Sequence, residues 1–225
     1  MLIAEDLLLL LLDDESGKMT NSTYLETGVG GALLVELALG GHVEVLKGSG
    51  LWARAKVHPT DAQRPTDPIL VEALGLVAEK ERTAEDLVGR LGRKRREALL
   101  ARLEADGILR REEDSVLGLF PRRRWPTVDS SHERDVRRKL GDALVRGATP
   151  DERTAALVAL LSSLDIVHKV VDREGLPARD LKKRAKQISE GDWAAKAVRD
   201  AVQATQAAIA AGAIVATTAA TTGGS

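Results

Sequence analysis

Apolar residues dominate the start of the chain, where MLIAEDLLLLLLDD places a six-leucine run behind only two acids, Glu5 and Asp6. A secretory leader would carry positive charge where these acids sit and a small-residue cleavage site after the run. Neither is present, so the pattern predicts a buried helix. After the turn DDESGK, VGGALLVELALGG has a helical apolar period that stops at Gly40 and Gly41, as a helix C-terminus does. HVEVLKGSGLWARAKV alternates polar and apolar residues around Gly-Ser-Gly, the pattern of a small β-hairpin. PTDAQRPTDP reads as a loop whose closing Asp-Pro opens the helix ILVEALGLVAEK.

Further along, Thr83 and Asp86 have capping-box spacing and open the short helix TAEDLVGRL, interrupted at Gly92. A second helix is predicted from Arg93 to Ala105, with Leu99, Leu100 and Leu103 as its apolar stripe and Asp106-Gly107 as its stop. ILRREEDSVLGLF then reads as a hairpin turning at Glu113-Asp114. From Ser131 onward the pattern predicts helices over 131–146, 150–173, 177–190 and 192–215. Residues 201–225 carry no charge, but Ala, Thr and Gly make the stretch too weakly apolar for a membrane span. The expectation is a mainly α protein, a helical bundle core ringed by amphipathic helices with small β-hairpins. It forms one domain over 1–215, followed by a flexible tail over 216–225.

Composition agrees. Aromatic residues make up 2% of the 225 positions, too few for a sandwich or barrel, while abundant Leu and Ala suit helices. Zero cysteines exclude disulfides, thiolate nucleophiles and cysteine-based metal sites, which fits a reducing, cytoplasmic compartment. His42, His58, His132 and His168 have no partner at metal-ligand spacing, so no metal is expected. The sequence GVGG at 28–31 hints at a dinucleotide fingerprint, but Leu33 stands where the third glycine belongs and no strand clearly precedes it. With no P-loop, nucleophile elbow or kinase signature, the chain is read as a binding protein without a cofactor rather than an enzyme.

The net charge of −1 names no partner, but the charge is unevenly spread. Residues 1–50 hold two basic and eight acidic side chains, whereas residues 90–124 hold eleven basic and six acidic ones. Within the basic region, GRKRRE at 92–97 puts Arg93 and Arg96 three apart and therefore on one helix face. Guanidinium forks at a helix N-terminus suit a phosphate; a solvated basic turn paired with Glu97 is the plainer alternative. LFPRRRWP at 119–126 sets Arg122, Arg123 and Arg124 between Phe120 and Trp125. That mixture suits a membrane–water interface, a nucleic-acid groove, or rings packed on the bundle with solvated arginines.

Taken together, the leucine run before DDESGK, GGALLVELALGG, TDPILVEAL, RKRREALLARLEADGIL, LGLFP and RTAALVALLSSLD resemble the Golgi phosphoprotein 3 family in order and spacing, over nearly the whole chain. The resemblance implies a phosphatidylinositol 4-phosphate-binding domain, cytoplasmic and peripherally associated with an anionic phospholipid membrane. The cysteine-free, Ala/Arg/Leu-rich composition suits a bacterial member. Of the family's headgroup site, the two helix positions fall on Arg93 and Arg96. Its N-terminal Arg and Trp positions fall on Gly30 and Asn21. The hairpin over 108–126, used in the family for membrane contact or self-association, would bring Phe120, Arg122, Arg123, Arg124 and Trp125 to the bilayer or to a second copy. Two other readings share these residues: a protein–protein adaptor without a lipid ligand, and a winged-helix nucleic-acid binder with the Arg93 helix in the groove and Arg122–Arg124 as a wing. The interrupting acids Glu97, Glu112 and Glu113 make nucleic acid the weaker partner.

Overall fold

A computed structural model describes residues 1–13, 16–19, 25–46, 54–93, 95–116 and 120–222. Helix α1 (Ile3–Leu11) is buried along its whole length, the two acids included. An acidic side chain in such a helix must be paired, and both are. Glu5 accepts from the Leu2 N–H at 2.7 Å and from Arg102 Nε at 2.5 Å. Asp6 accepts from Arg153 at 3.0 Å and lies 2.7 Å from His132 Nε2. Arg153 also donates to Glu36 at 2.8 Å and to the Met1 carbonyl at 2.8 Å, while Glu36 takes the Ile3 N–H. These bonds tie the start of the leucine helix to elements far along the chain.

Helix α2 (Leu25–Leu39) ends where the glycines predict, with Gly41 at φ +70°. It packs against α1 and forms the centre of the core. Strands β1 (Val43–Leu46) and β2 (Lys56–Pro59) make the expected antiparallel hairpin, whose connection at 47–53 lies outside the described residues. A third strand that the pattern did not announce, β3 (Arg82–Thr83), pairs with β2 through Lys56↔Thr83 and Val57↔Arg82. Two residues are too few to show a period; the neighbouring edge makes them a strand.

Helix α3 (Pro68–Ala78) starts at an Asp67 cap that accepts from the Ile69 and Leu70 N–H groups, with Pro68 where a missing N–H costs nothing. Helix α4 (Ala84–Gly92) is capped by Thr83, whose hydroxyl accepts from Asp86 N. Helix α5 spans Arg95–Ala105 and buries Leu99, Leu100 and Leu103, the stripe expected of it.

The hairpin that follows departs from the pattern. Strands β4 (Glu112–Val116) and β5 (Phe120–Arg124) pair as Glu112↔Arg124, Glu113↔Arg123 and Asp114↔Arg122. Glu113 and Asp114 are therefore inside a strand, and the chain reverses after Val116. Cross-strand attraction between an acidic and a basic strand explains what charge density alone made look like a turn. The two strands form a sheet of their own, separate from β1–β2–β3.

Helix α6 (Ser131–Gly141) runs into a π-helical turn over Asp142–Arg146. The expected helix over 150–173 is two, α7 (Glu152–Ser163) and α8 (Val167–Val170), broken at Asp165 with φ +53°. Helices α9 (Ala178–Ser189) and α10 (Lys196–Thr222) follow. The last continues through Thr222, where the pattern predicts a tail from 216. Helices α1, α4, α7 and α10 surround α2, giving the mainly α bundle with small hairpins that the sequence implies.

Candidate anion-binding site

The corner between α4 and α5 is set by a close crossing of α4 over α2. A Cβ at Gly92 would stand 1.7 Å from the Glu26 carbonyl oxygen, and one at Gly30 would stand 1.9 Å from the Val88 carbonyl oxygen. Neither position has room for a side chain, so the two backbones touch directly. Gly30, which the resemblance equates with a headgroup arginine, is buried in this crossing. Asn21, equated with the headgroup Trp, lies outside the described residues.

Arg93 closes α4 in an extended conformation and is exposed. Helix α5 begins at Arg95, so Arg93 and Arg96 do not share a helix face as their spacing suggests; they flank a corner. What distinguishes them, among the described residues, is the lack of acidic partners. Arg90 is bound to Asp86, Arg95 to Glu72 of α3, and Arg102 to both Glu5 and Asp67. Burial acts to lower the affinity of the Arg102 guanidinium for its proton, but the hydrogen bonds it donates to Glu5 and Asp67, and their negative charge, outweigh it and raise that affinity. Among the described residues, no carboxylate pairs with Arg93 or Arg96.

Arg96 is half-buried, its guanidinium carbon 5.8 Å from the centroid of the Trp125 ring. Its Nε is enclosed without a hydrogen-bond partner. Trp125 is 5% exposed and belongs to the core. This corrects the expectation that its ring touches a bilayer: in a chain with so few aromatic side chains, a large ring next to α5 gains more from core contact than from an interface. Its backbone N–H donates to the Gly17 carbonyl at 3.2 Å. Gly17 has φ +58°, and a Cβ there would meet the Trp125 and Pro126 backbone at 2.4 Å. The segment after α1 thus braces the end of β5.

Arg123 is exposed and stands 3.5 Å from Glu113 and 3.8 Å from Glu97. The Glu113 carboxyl is held below the ordinary range chiefly by its hydrogen bond from Arg111, with Arg123 adding to the effect. Arg124 is half-buried. Phe120 and Arg122 hold their places in the β5 register opposite Val116 and Asp114, and their side chains lie outside the described residues. The basic run is therefore opposed, position by position, by the acidic run of its own hairpin. Spacing along the sequence could not disclose either this pairing or the Arg96–Trp125 contact, because the partners come from separate elements.

A family model described as Golgi phosphoprotein 3 (GPP34) matches residues 3–205. The chain belongs to the Golgi phosphoprotein 3 family. A search of the curated proteins found no match. The GPP34 match takes in α1 through the first third or so of α10, including the α4–α5 corner and the β4–β5 hairpin. Among the described residues, no group of three or more His, Asp or Glu is arranged to hold a metal ion, and no helix is long and apolar enough to cross a membrane.

Proposed function

We propose that this GPP34 domain is a peripheral membrane module, not a catalyst, that recognises a phosphorylated anionic headgroup of the phosphatidylinositol 4-phosphate type through Arg93 and Arg96. One observation carries the reading: among the described residues these two arginines have no carboxylate partner, in a region where Arg90, Arg95 and Arg102 are each ion-paired. An arginine left unpaired beside a helix start is suited to a phosphate, and each charge-assisted bond contributes about 1.5 to 3 kcal/mol. Two such bonds give about 3 to 6 kcal/mol, a dissociation constant between about 6 mM and about 40 μM. Binding this weak calls for avidity, which a second copy joined through the 108–126 hairpin would supply. Arg123, partly neutralised by Glu113 and Glu97, adds little to membrane attraction.

The test is co-flotation with phosphatidylcholine vesicles, either plain or containing phosphatidylserine or phosphatidylinositol 4-phosphate, with inorganic phosphate as a soluble competitor. The expected result is retention on the phosphoinositide vesicles alone, lost at least tenfold in Arg93→Ala/Arg96→Ala (about 1.4 kcal/mol or more). Inorganic phosphate competing at low millimolar concentration with no vesicle preference would assign the site to free phosphate. Equal retention on all anionic vesicles would reduce it to a basic surface. No retention on any vesicle would favour a protein–protein adaptor.

A further inference from the structure

Trp125 bears on how the site works. A guanidinium that is to bind an anion must be held in place without being neutralised. A carboxylate partner does the first and defeats the second: Arg95 and Arg102 are fixed by Glu72, Glu5 and Asp67, and their charge is spent on those groups. The face of an indole ring attracts a cation through its quadrupole, adds no formal charge and occupies none of the guanidinium's hydrogen-bond donors. Trp125 stands in this relation to Arg96, 5.8 Å from ring centroid to guanidinium carbon. The ring itself is fixed, 5% exposed in the core and with its backbone N–H bound to Gly17. The Arg96 Nε is enclosed without a partner among the described residues.

We infer that Trp125 is a positioning residue for anion binding: it holds the Arg96 guanidinium by its ring face, so that the terminal nitrogens stay oriented and uncompensated for a phosphate. The inference rests on the proposed reading of Arg93 and Arg96. It gives a role to the Trp of the LFPRRRWP segment that does not require it to leave the core. A cation–π contact that is partly desolvated is worth enough to change affinity about five- to thirtyfold.

The experiment is a double-variant cycle on vesicles of phosphatidylcholine containing phosphatidylinositol 4-phosphate, using Arg96→Ala, Trp125→Leu and the two combined, with thermal unfolding recorded for each. Trp125→Leu is expected to weaken binding about fivefold or more and to have no further effect once Arg96 is Ala. Loss of binding by Arg96→Ala together with unchanged binding by Trp125→Leu overturns this inference alone. So does an equal loss from Trp125→Leu in both backgrounds, which would mark a general structural role. Unchanged binding by Arg93→Ala/Arg96→Ala overturns the anion-site reading and this inference with it. If Trp125→Leu does not fold, tryptophan emission decides, with soluble inositol 1,4-bisphosphate as the titrant. Emission changes in the wild type and not in Trp125→Phe if the ring supports the binding guanidinium. A change that persists in Trp125→Phe, or is absent from the wild type, overturns the inference.

Discussion

Gly30 passes Val88 so closely that a Cβ on Gly30 would lie 1.9 Å from the Val88 carbonyl oxygen. Together with the approach of Gly92 to the Glu26 carbonyl, this contact holds α4 against α2 just before the corner that carries Arg93 and Arg96. It also decides what can be done at position 30. Gly30→Arg, which would supply the arginine that the family resemblance equates with this position, is expected to force the helices apart and cost about 3 kcal/mol or more. Thermal unfolding should show a fall in Tm, and vesicle binding should fall with it. A stable Gly30→Arg protein with tighter phosphoinositide binding would contradict the crossing.

Arg102 is the only partner besides the Leu2 N–H that the described contacts give to the Glu5 carboxylate, which is 1% exposed. Arg102→Leu leaves that carboxylate buried with its charge uncompensated and should destabilise the fold by about 3 to 5 kcal/mol. Adding Glu5→Gln should recover a large part of the loss, because the charge is then removed as well. Chemical denaturation of the single and double variants measures both.

Stability should fall steeply in acid. Asp151 caps α7 by accepting from Thr154 N at 2.7 Å; burial pushes its carboxyl up, but the hydrogen bonds to Thr154 outweigh this and hold it below the ordinary range. Asp129 and Asp135 are lowered as well, by bonds from Ser131 and from Arg138 and Lys139 respectively. A depressed carboxyl binds fewer protons in the folded chain than in the unfolded one, so its stabilisation is fully present above the unfolded value of about 4 and is lost as pH falls below that, through the lower folded value. Asp151→Asn, which retains the cap acceptor but not the charge, should flatten the pH profile of unfolding between about pH 5 and pH 3, whereas Asp151→Ala also loses about 1 kcal/mol at neutral pH.

The register Glu113↔Arg123 predicts that acids restrain the hairpin's attraction to membranes. Glu113→Lys removes one of the neutralising carboxylates of Arg123 and adds a positive charge. Binding to phosphatidylserine vesicles should rise about tenfold at low salt, with no gain in selectivity for the phosphoinositide, and should fade at high salt. If binding is unchanged, the hairpin does not approach the bilayer.

Much of the architecture was legible because it is decided locally. The Asp67-Pro68 and Thr83 helix starts, the stop at Gly40-Gly41 and the Leu99, Leu100 and Leu103 stripe each depend on a few neighbouring residues whose backbone groups must be satisfied or whose apolar face must be covered. The leucine run reads as a buried helix on the same terms. Arg93 and Arg96 were legible as residues but not as an arrangement, since α5 begins two positions later than the pattern suggests.

By itself, then, the sequence determined the helical class, the order of the elements and the candidate arginines, because helix periods, caps and breakers act over one or two turns. Tertiary structure decided the rest: that Glu113 and Asp114 lie in a strand opposite arginines, that β3 joins β2, that Gly30 and Gly92 let two helices touch, and that Trp125 turns inward beneath Arg96. In each case the partner comes from a separate element, and which charge meets which, or whether a ring is covered, is settled only when packing brings those elements together.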